Sequence, residues 1–376
     1  MWDKIKDQEK AKSVLKNIFR IGKVSHAYIF YGPEGTGKDA AAVEFAKLLN
    51  CNDPVNGEEA CDKCKNCIEI DSFRSSLMKF TTALPTGKSS ADDDSNPLEK
   101  LDKEDFAIYL EEMEIKAGDK YHKIFLPRAN DIRISSIRQI KKEIYLTGSA
   151  GKKKVFIISG CDRMNTQSAN SLLKILEEPP RDSILLLTTS KINSLLPTII
   201  GRCQKIKFNN LPKEEILKYI YEKFPGAGNS EAEFSAELSE GSITRCNDIL
   251  GKNYSELRDK VLEYLSSTIT GQDLRLGREI DFVIGKRDKE RIKQFLMLLS
   301  VWFRDLSAVR SGNPEIIINK DKEDRLKKFD ANFDSENYKI LNLIEESVKE
   351  VDGNMIPDLM LHDLSYKIRS LVKKKK

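Results

Sequence analysis

The sequence predicts an α/β fold: a parallel sheet with a phosphate loop (P-loop) and a zinc knuckle, followed by a helical lid and a further all-α domain. Three observations predict it. The stretch "AYIFYGPEGTGKDAAAVEFAKLLN" passes from a short apolar strand through a glycine-rich turn into a helix, the context that makes a phosphate loop credible. "KVFIISG" and "SILLLTTS" are short, continuously apolar and β-favouring, as central strands of a parallel sheet buried on both faces must be. From about Asn210 the pattern turns helical and stays so.

In order along the chain, Ala11, Val14, Leu15, Ile18 and Phe19 recur at helical spacing ahead of the strand "AYIFY". "DAAAVEFAKLLN" is the helix after the glycine turn, and a cysteine-rich insert, Cys51 to Cys67, follows. "TTALPTGKSSADDDSNPLEKLDKED" is polar and acidic, and reads as a mobile surface excursion. Helices are expected at "FAIYLEEMEIKAG", at Ile134–Leu146, and at "TQSANSLLKILEEPP", which Pro179 and Pro180 end. "EEILKYIYEKF" and "AEFSAELSEGSITRCNDIL" suggest a small lid domain. Beyond it, "LMLLSVWFRDLSAV" sets Leu299, Trp302, Phe303 and Leu306 on one stripe, and "YKILNLIEESVKEV" is a second amphipathic helix; such stripes belong to helix-bundle cores. The expected domains are 1–209, nucleotide-binding-like, with a knuckle at 51–67 and an insert at about 73–122; 210–252, the lid; and 253–376, helical.

The totals agree. A chain of 376 residues has room for two or three cores. Sixty-three basic and fifty-nine acidic residues leave a net +4, so bulk charge does not mark a nucleic-acid binder. No apolar run approaches the ~18–20 residues that span a membrane, and "MWDKIKDQEK" is too charged for a secretory leader. A cytoplasmic location without membrane partners is expected. The tail Lys373–Lys376 reads as a solvated, frayed terminus.

Gly32-Pro-Glu-Gly-Thr-Gly-Lys38 satisfies G-x-x-x-x-G-K. Gly32, Gly35, Thr36 and Gly37 would let backbone N–H groups turn inward around phosphate oxygens, with Lys38 reaching the β- and γ-phosphates. The next position normally offers magnesium a hydroxyl; here it is Asp39. The strand "VFIIS" should end in metal- and water-handling carboxylates, yet it ends in Ser159 and Gly160, with Asp162 two places further on. Whether ATP and magnesium occupy this degenerate loop stays open, while little or no hydrolysis is expected, since losing general-base help alone costs ~10²–10⁴ in rate.

Cys51, Cys61, Cys64 and Cys67 have nine, two and two residues between them. Two-residue gaps let thiolates converge on one ion, and four thiolates close a tetrahedral shell, so a structural zinc is expected. Redox C-x-x-C chemistry is the alternative. Cys161, Cys203 and Cys246 are scattered and expected to be buried.

Together, "HAYIFYGPEGTGK", the four-cysteine insert, "NSLLKILEEPP" and "LPTIIGRCQKIKF" resemble the bacterial DNA polymerase III clamp loaders, an AAA+ family, over nearly the whole chain. The insert at 73–122 is the main departure. In that family the gamma/tau motor subunits carry intact motifs, whereas delta-prime subunits commonly carry damaged ones; Asp39, Ser159 and Gly160 place this chain on the delta-prime side. The resemblance implies a component of the polymerase III holoenzyme that joins gamma/tau and delta through a helical collar, and that helps load the sliding clamp on primed DNA. It also implies that Arg202, in Gly201-Arg202-Cys203 where the family has Ser-Arg-Cys, is an arginine finger given in trans to a neighbour's ATP. Thr188 or Thr189 matches the family's strand-end sensor, and Thr244 stands where motor subunits carry a sensor arginine, with Arg245 one place on. Two other readings stand beside this one: an active gamma/tau-like ATPase with Asp39 and Asp162 improvising a metal site, and a zinc-dependent nucleic-acid-binding adaptor.

Overall fold

The computed structural model describes residues 2–86, 96–145, 151–251, 254–285, 288–353 and 355–375. They gather into two compact units, Met1–Tyr219 with Glu240–Arg245, and Ile220–Ser239 with Cys246–Lys376. The span expected to be the lid, 210–252, is divided between them.

The first unit is built on strands β1 (Ala27–Tyr31), β2 (Met78–Thr81), β3 (Lys154–Ser159), β4 (Ser183–Thr189) and β5 (Gln204–Lys207). They pair in parallel in the order β2-β3-β4-β1-β5. Its helices, in chain order, are α1 (Glu9–Ile21), α2 (Lys38–Asn50), α3 (Lys65–Asp71), α4 (Lys103–Gly118), α5 (Ile134–Ile144), α6 (Thr166–Glu177) and α7 (Pro197–Ile200), with α8 (Lys213–Lys223) beginning here.

Alternate strand residues feed two cores, because successive side chains leave a strand on opposite faces. Tyr28, Phe30, Ile157 and Leu186 pack on one side with Leu15 of α1 and Phe45 of α2. Ile29, Ile158, Leu185 and Leu187 pack on the other with Ile137 of α5 and Leu172 of α6. Every residue of β4 is buried, which is why its sequence shows an unbroken apolar run. On α1, Ala11 and Leu15 are buried, but Val14 is 43% exposed: the helix turns a narrower stripe inward than its spacing suggests.

Three expectations need correction. β2 lies inside the span read as an insert from about Phe73, so the sheet itself extends into that span. The polar excursion is ordered from Asn96 onward. There the Asn96 side chain accepts from Leu98 N–H at 3.1 Å, and the Asp102 side chain caps α4 by accepting from Asp105 N–H at 2.8 Å. Its residues 87–95 lie outside those described, as does Leu146 of the expected helix. Finally, the lysine tail is not frayed over its described part: Lys373 and Lys374 belong to a short antiparallel pair, β6 (Phe333–Ser335) with β7 (Val372–Lys374). The backbone N–H and C=O groups of β6 need partners whatever side chains supply them.

The second unit is helical apart from that pair: α9 (Asn229–Leu238), the greater part of α10 (Ile243–Gly251), α11 (Tyr254–Thr270), α12 (Asp273–Ile284), α13 (Lys289–Arg310), α14 (Glu323–Asn332), α15 (Asn337–Asp352) and α16 (Pro357–Leu371). The expected stripe Leu299, Trp302, Phe303 and Leu306 is buried in its core, with Ile340 and Ile344 from α15. Asp305, on the same helix, is fully buried and accepts from the N–H groups of Ile318 at 3.0 Å and Asn319 at 2.8 Å; burial pushes its pKa up. Among the described residues no helix is long and apolar enough to cross a membrane.

Truncating Leu186 on β4, which is 0% exposed, is expected to be severe. Leu186→Ala should lower stability by about 2–5 kcal/mol, measured by denaturant unfolding; a loss below 1 kcal/mol would contradict the packing described.

Candidate functional site

In an open parallel sheet, ligands bind beyond the C-terminal strand ends. β1 opens there into the turn Gly32–Lys38, and Ser159 at the end of β3 lies opposite Thr188 on β4. The turn needs its glycines. Gly32 has φ +148°, and a Cβ there would come 2.1 Å from the carbonyl oxygen of Phe208; Gly35 has φ +72°, and a Cβ would meet Ser242 Oγ at 2.0 Å. Thr36 is buried and donates its hydroxyl to Pro33 O at 2.9 Å. Gly37 is covered by Tyr121, whose Oη would stand 3.0 Å from a Cβ at that position.

Lys38 is buried, and its ammonium turns back to donate to Gly32 O at 2.8 Å and to Pro33 O. Burial lowers its pKa to about 8 against the pull of Asp39, Glu34 and Asp162, so at neutral pH it is still mostly charged. The turn and the strand ends line a cleft of about 290 Å³ that also meets Thr189, Lys191 and Arg163.

Asp39 occupies the first turn of α2 and reaches across to the strand ends. Thr188 Oγ1 donates to its Oδ1 at 2.6 Å, Ser159 Oγ donates to its Oδ2 at 2.8 Å, and the ammonium of Lys116 donates to Oδ2 at 3.1 Å. Burial alone would raise the Asp39 pKa; the Lys116 charge and the hydroxyl groups of Thr188 and Ser159 hold it below the usual carboxylate value. A phosphate-loop fold implies magnesium, held by the hydroxyl after the loop lysine and by an acid at the β3 end. The residues present do not fit it. The first position is a carboxylate already paired, and the second is the serine that donates to it.

Asp162 accepts from Thr189 Oγ1 at 2.6 Å. Thr244 Oγ1 donates to Tyr121 O at 2.8 Å, and Arg245 is ion-paired with Glu240 at 2.8 Å. Arg202 is outside the cleft lining and exposed, donating to Thr198 O at 3.0 Å and to Glu177 Oε1 at 2.9 Å. Lys116 and Tyr121 had no sequence signal: they stand in "EIKAGDKYHK", a highly charged stretch without a motif.

The cysteine quartet does converge. Cys51 closes α2, Cys64 precedes α3 and Cys67 lies on it. The four sulfurs lie within 4.8 Å of one another, Cys61 Sγ and Cys67 Sγ being 4.0 Å apart. A tetrahedron of 2.3 Å metal–sulfur bonds has edges of about 3.8 Å, so this group could hold a metal ion. Backbone N–H groups of Cys61 and Cys64 approach Cys51 Sγ and Cys61 Sγ at 3.3 Å. The knuckle is fastened by Lys47 of α2, fully buried and ion-paired with Glu44 at 2.9 Å, Asp62 at 2.5 Å and Asp71 at 3.3 Å. Cys161, Cys203 and Cys246 are buried; burial pushes the thiols of Cys203 and Cys246 up to about 12, which keeps them inert.

Comparison with known proteins adds the following. The family model described as "DNA polymerase III, delta subunit" matches residues 7–212. DNA polymerase III subunit delta' of Bacillus subtilis is 27% identical over 321 residues, covering 84% of this chain and 81% of its own. Subunit tau of the same organism is 30% identical over 211 residues, 56% of this chain but 29% of its own length. Among solved structures, a DNA polymerase III, gamma subunit-related protein from Thermotoga maritima superposes with a TM-score of 0.50 and 16% identity over 95% of this chain and 99% of its own. That likeness speaks for the fold alone.

Two outcomes follow from this geometry. Asp39→Asn leaves the buried Lys116 charge uncompensated and is expected to cost about 3 kcal/mol at neutral pH. Because the folded Asp39 pKa lies below the ordinary 3.8, the pair's contribution is fully present above that value and is lost as pH falls through the lower folded one. Melting curves of both proteins against pH should therefore differ at neutrality and converge in acid; parallel curves would contradict the pairing. The purified chain should carry one thiolate-bound ion through gel filtration and lose it in Cys61→Ser/Cys64→Ser, as read by elemental analysis. Full folding without metal would contradict a structural centre.

Proposed function

The chain belongs to the DNA polymerase III delta subunit family, on its delta-prime, clamp-loader branch, and from that premise we propose that it is the loader's non-hydrolysing member, lending Arg202 to ATP held by a neighbouring gamma/tau subunit. The observation that carries this reading is the closed group around Asp39: the carboxylate that follows Lys38 is taken by Lys116, Ser159 and Thr188, and Asp162 is engaged by Thr189. Both acids are thus engaged by neighbouring donors, which weighs against the autonomous-ATPase reading.

Arg202 suits the complementary role. Its ion pair with Glu177 is exposed, and such pairs contribute about 0–1 kcal/mol. Releasing Glu177 therefore costs little, and a guanidinium against a transferring phosphoryl group is worth ~10³–10⁵ in rate. In this reading domain 1–209 carries the loop and a structural zinc, 210–252 is the lid, and 253–376 is the collar that joins gamma/tau and delta. The sliding clamp and primed DNA are met through the assembled complex, with DNA contacts mainly to phosphates. A zinc-dependent nucleic-acid adaptor is less well supported, since Glu58 and Glu59 make the knuckle acidic and are paired with Arg20 and Lys16. One feature favours nucleotide as a passive occupant: the cleft of about 290 Å³ keeps Lys38 in its wall.

The deciding experiment reconstitutes the loader with either native chain or Arg202→Ala. Clamp- and DNA-dependent ATP turnover should fall by an order of magnitude or more, while Lys38→Ala leaves it unchanged. Turnover unaffected by Arg202→Ala would remove the finger, and brisk phosphate release by the isolated chain, lost in Lys38→Ala, would remove the non-hydrolysing assignment.

A further inference from the structure

We infer that Lys116 is the resident cation of the cleft: its ammonium, carried on α4, stands in place of the divalent metal that a phosphate-loop fold employs, and the cleft is metal-free by construction. The inference deepens the non-hydrolysing reading, but it rests on this chain's own side chains.

The position is the first argument. A metal in such a fold sits between the residue after the loop lysine and the end of the neighbouring strand, here Asp39 and Ser159. The Ser159 hydroxyl and the Lys116 ammonium both donate to Asp39 Oδ2, at 2.8 Å and 3.1 Å. The second argument is saturation. An ammonium has three protons and no acceptor, and Lys116 directs its donors to three oxygens: Asp39 Oδ2, Lys120 O at 2.9 Å and His122 O at 2.6 Å. With 3% of its side chain exposed, it has no water shell to fall back on, so it is held there. A dication entering beside it would meet a like charge at short range in a poorly screened site.

The segment that carries Lys116 is itself fixed in place. α4 is clamped at its C-terminal end. His122 Nε2 and Glu112 Oε2 are 2.9 Å apart, Glu112 also accepts from Phe125 N–H at 2.6 Å, and Tyr121 Oη accepts from Lys6 N–H at 2.9 Å. The segment thus delivers Lys116 to Asp39 and lays Tyr121 over Gly37 together. Asp39 and Lys116 make one device: the aspartate replaces the metal-binding hydroxyl because an ammonium has replaced the metal.

The test uses the full chain with its zinc in place, adding magnesium or manganese without chelator. Native protein should show no Asp39-dependent manganese binding by electron paramagnetic resonance, and its Tm should not move with magnesium. Lys116→Met exposes a carboxylate flanked by two hydroxyls; its Tm should fall, magnesium should restore part of it, and manganese affinity should rise by roughly tenfold or more as the like charge is removed. Asp39→Asn/Lys116→Met should recover most of the lost Tm and bind no manganese. Manganese bound by native protein and lost in Asp39→Asn would overturn the inference, as would a folded Lys116→Met that gains none. If Lys116→Met does not fold, the double variant decides: recovery supports the pairing, and equal loss overturns it. A native chain that binds manganese through Asp39 yet hydrolyses nothing would sink the ammonium and leave the non-hydrolysing assignment standing.

Discussion

Parallel strands deliver all their C-terminal ends to one edge of a sheet, and crossover helices must then cover both faces. This constraint organises the first unit. It sets Asp39 within hydrogen-bond reach of Ser159, 120 residues away in sequence, and of Thr188, 149 residues away. It also requires β3 and β4 to be apolar on both sides, which ties the core to the cleft: strands buried on both faces hold their terminal residues still. The polar group at the strand ends is as well defined as the packing beneath it.

Two buried lysines close outlying segments onto this frame by the same physics. Lys47 joins the knuckle and α3 to α2 through Glu44, Asp62 and Asp71; Lys116 joins α4 to the cleft through Asp39 and two carbonyls. An unpaired buried ammonium would be prohibitively costly, so each segment has one register in which its lysine is satisfied. For Lys47 burial opposes the charge, yet its three acid partners hold its pKa above the ordinary lysine value. Electrostatic pairing here selects position rather than adding bulk stability.

The basic groups Lys38 and Lys116 of the cleft face inward, whereas Arg202 faces outward. Lys38 donates to its own loop and Lys116 to Asp39, so the cleft's central charges answer one another. Arg202 stands on the surface in a weak pair with Glu177.

The amino-acid pattern alone determined the strand–turn–helix of the phosphate loop, the two double-sided strands, the core stripe on α13 and the convergence of four cysteines. Each depends on local spacing, and periodicity of two or 3.6 residues is written in sequence. Edge strand β2 was missed because a four-residue segment with one buried position at its start carries no alternation long enough to read. The pairing of Lys373 and Lys374 was missed because it is made by backbone, which has no sequence signature. Only the tertiary structure decided that Lys116, in a highly charged stretch, would be buried. The energy of a buried charge depends on which oxygens surround it, and those of Asp39, Lys120 and His122 come together only when α4 packs against the ends of a sheet assembled from distant parts of the chain.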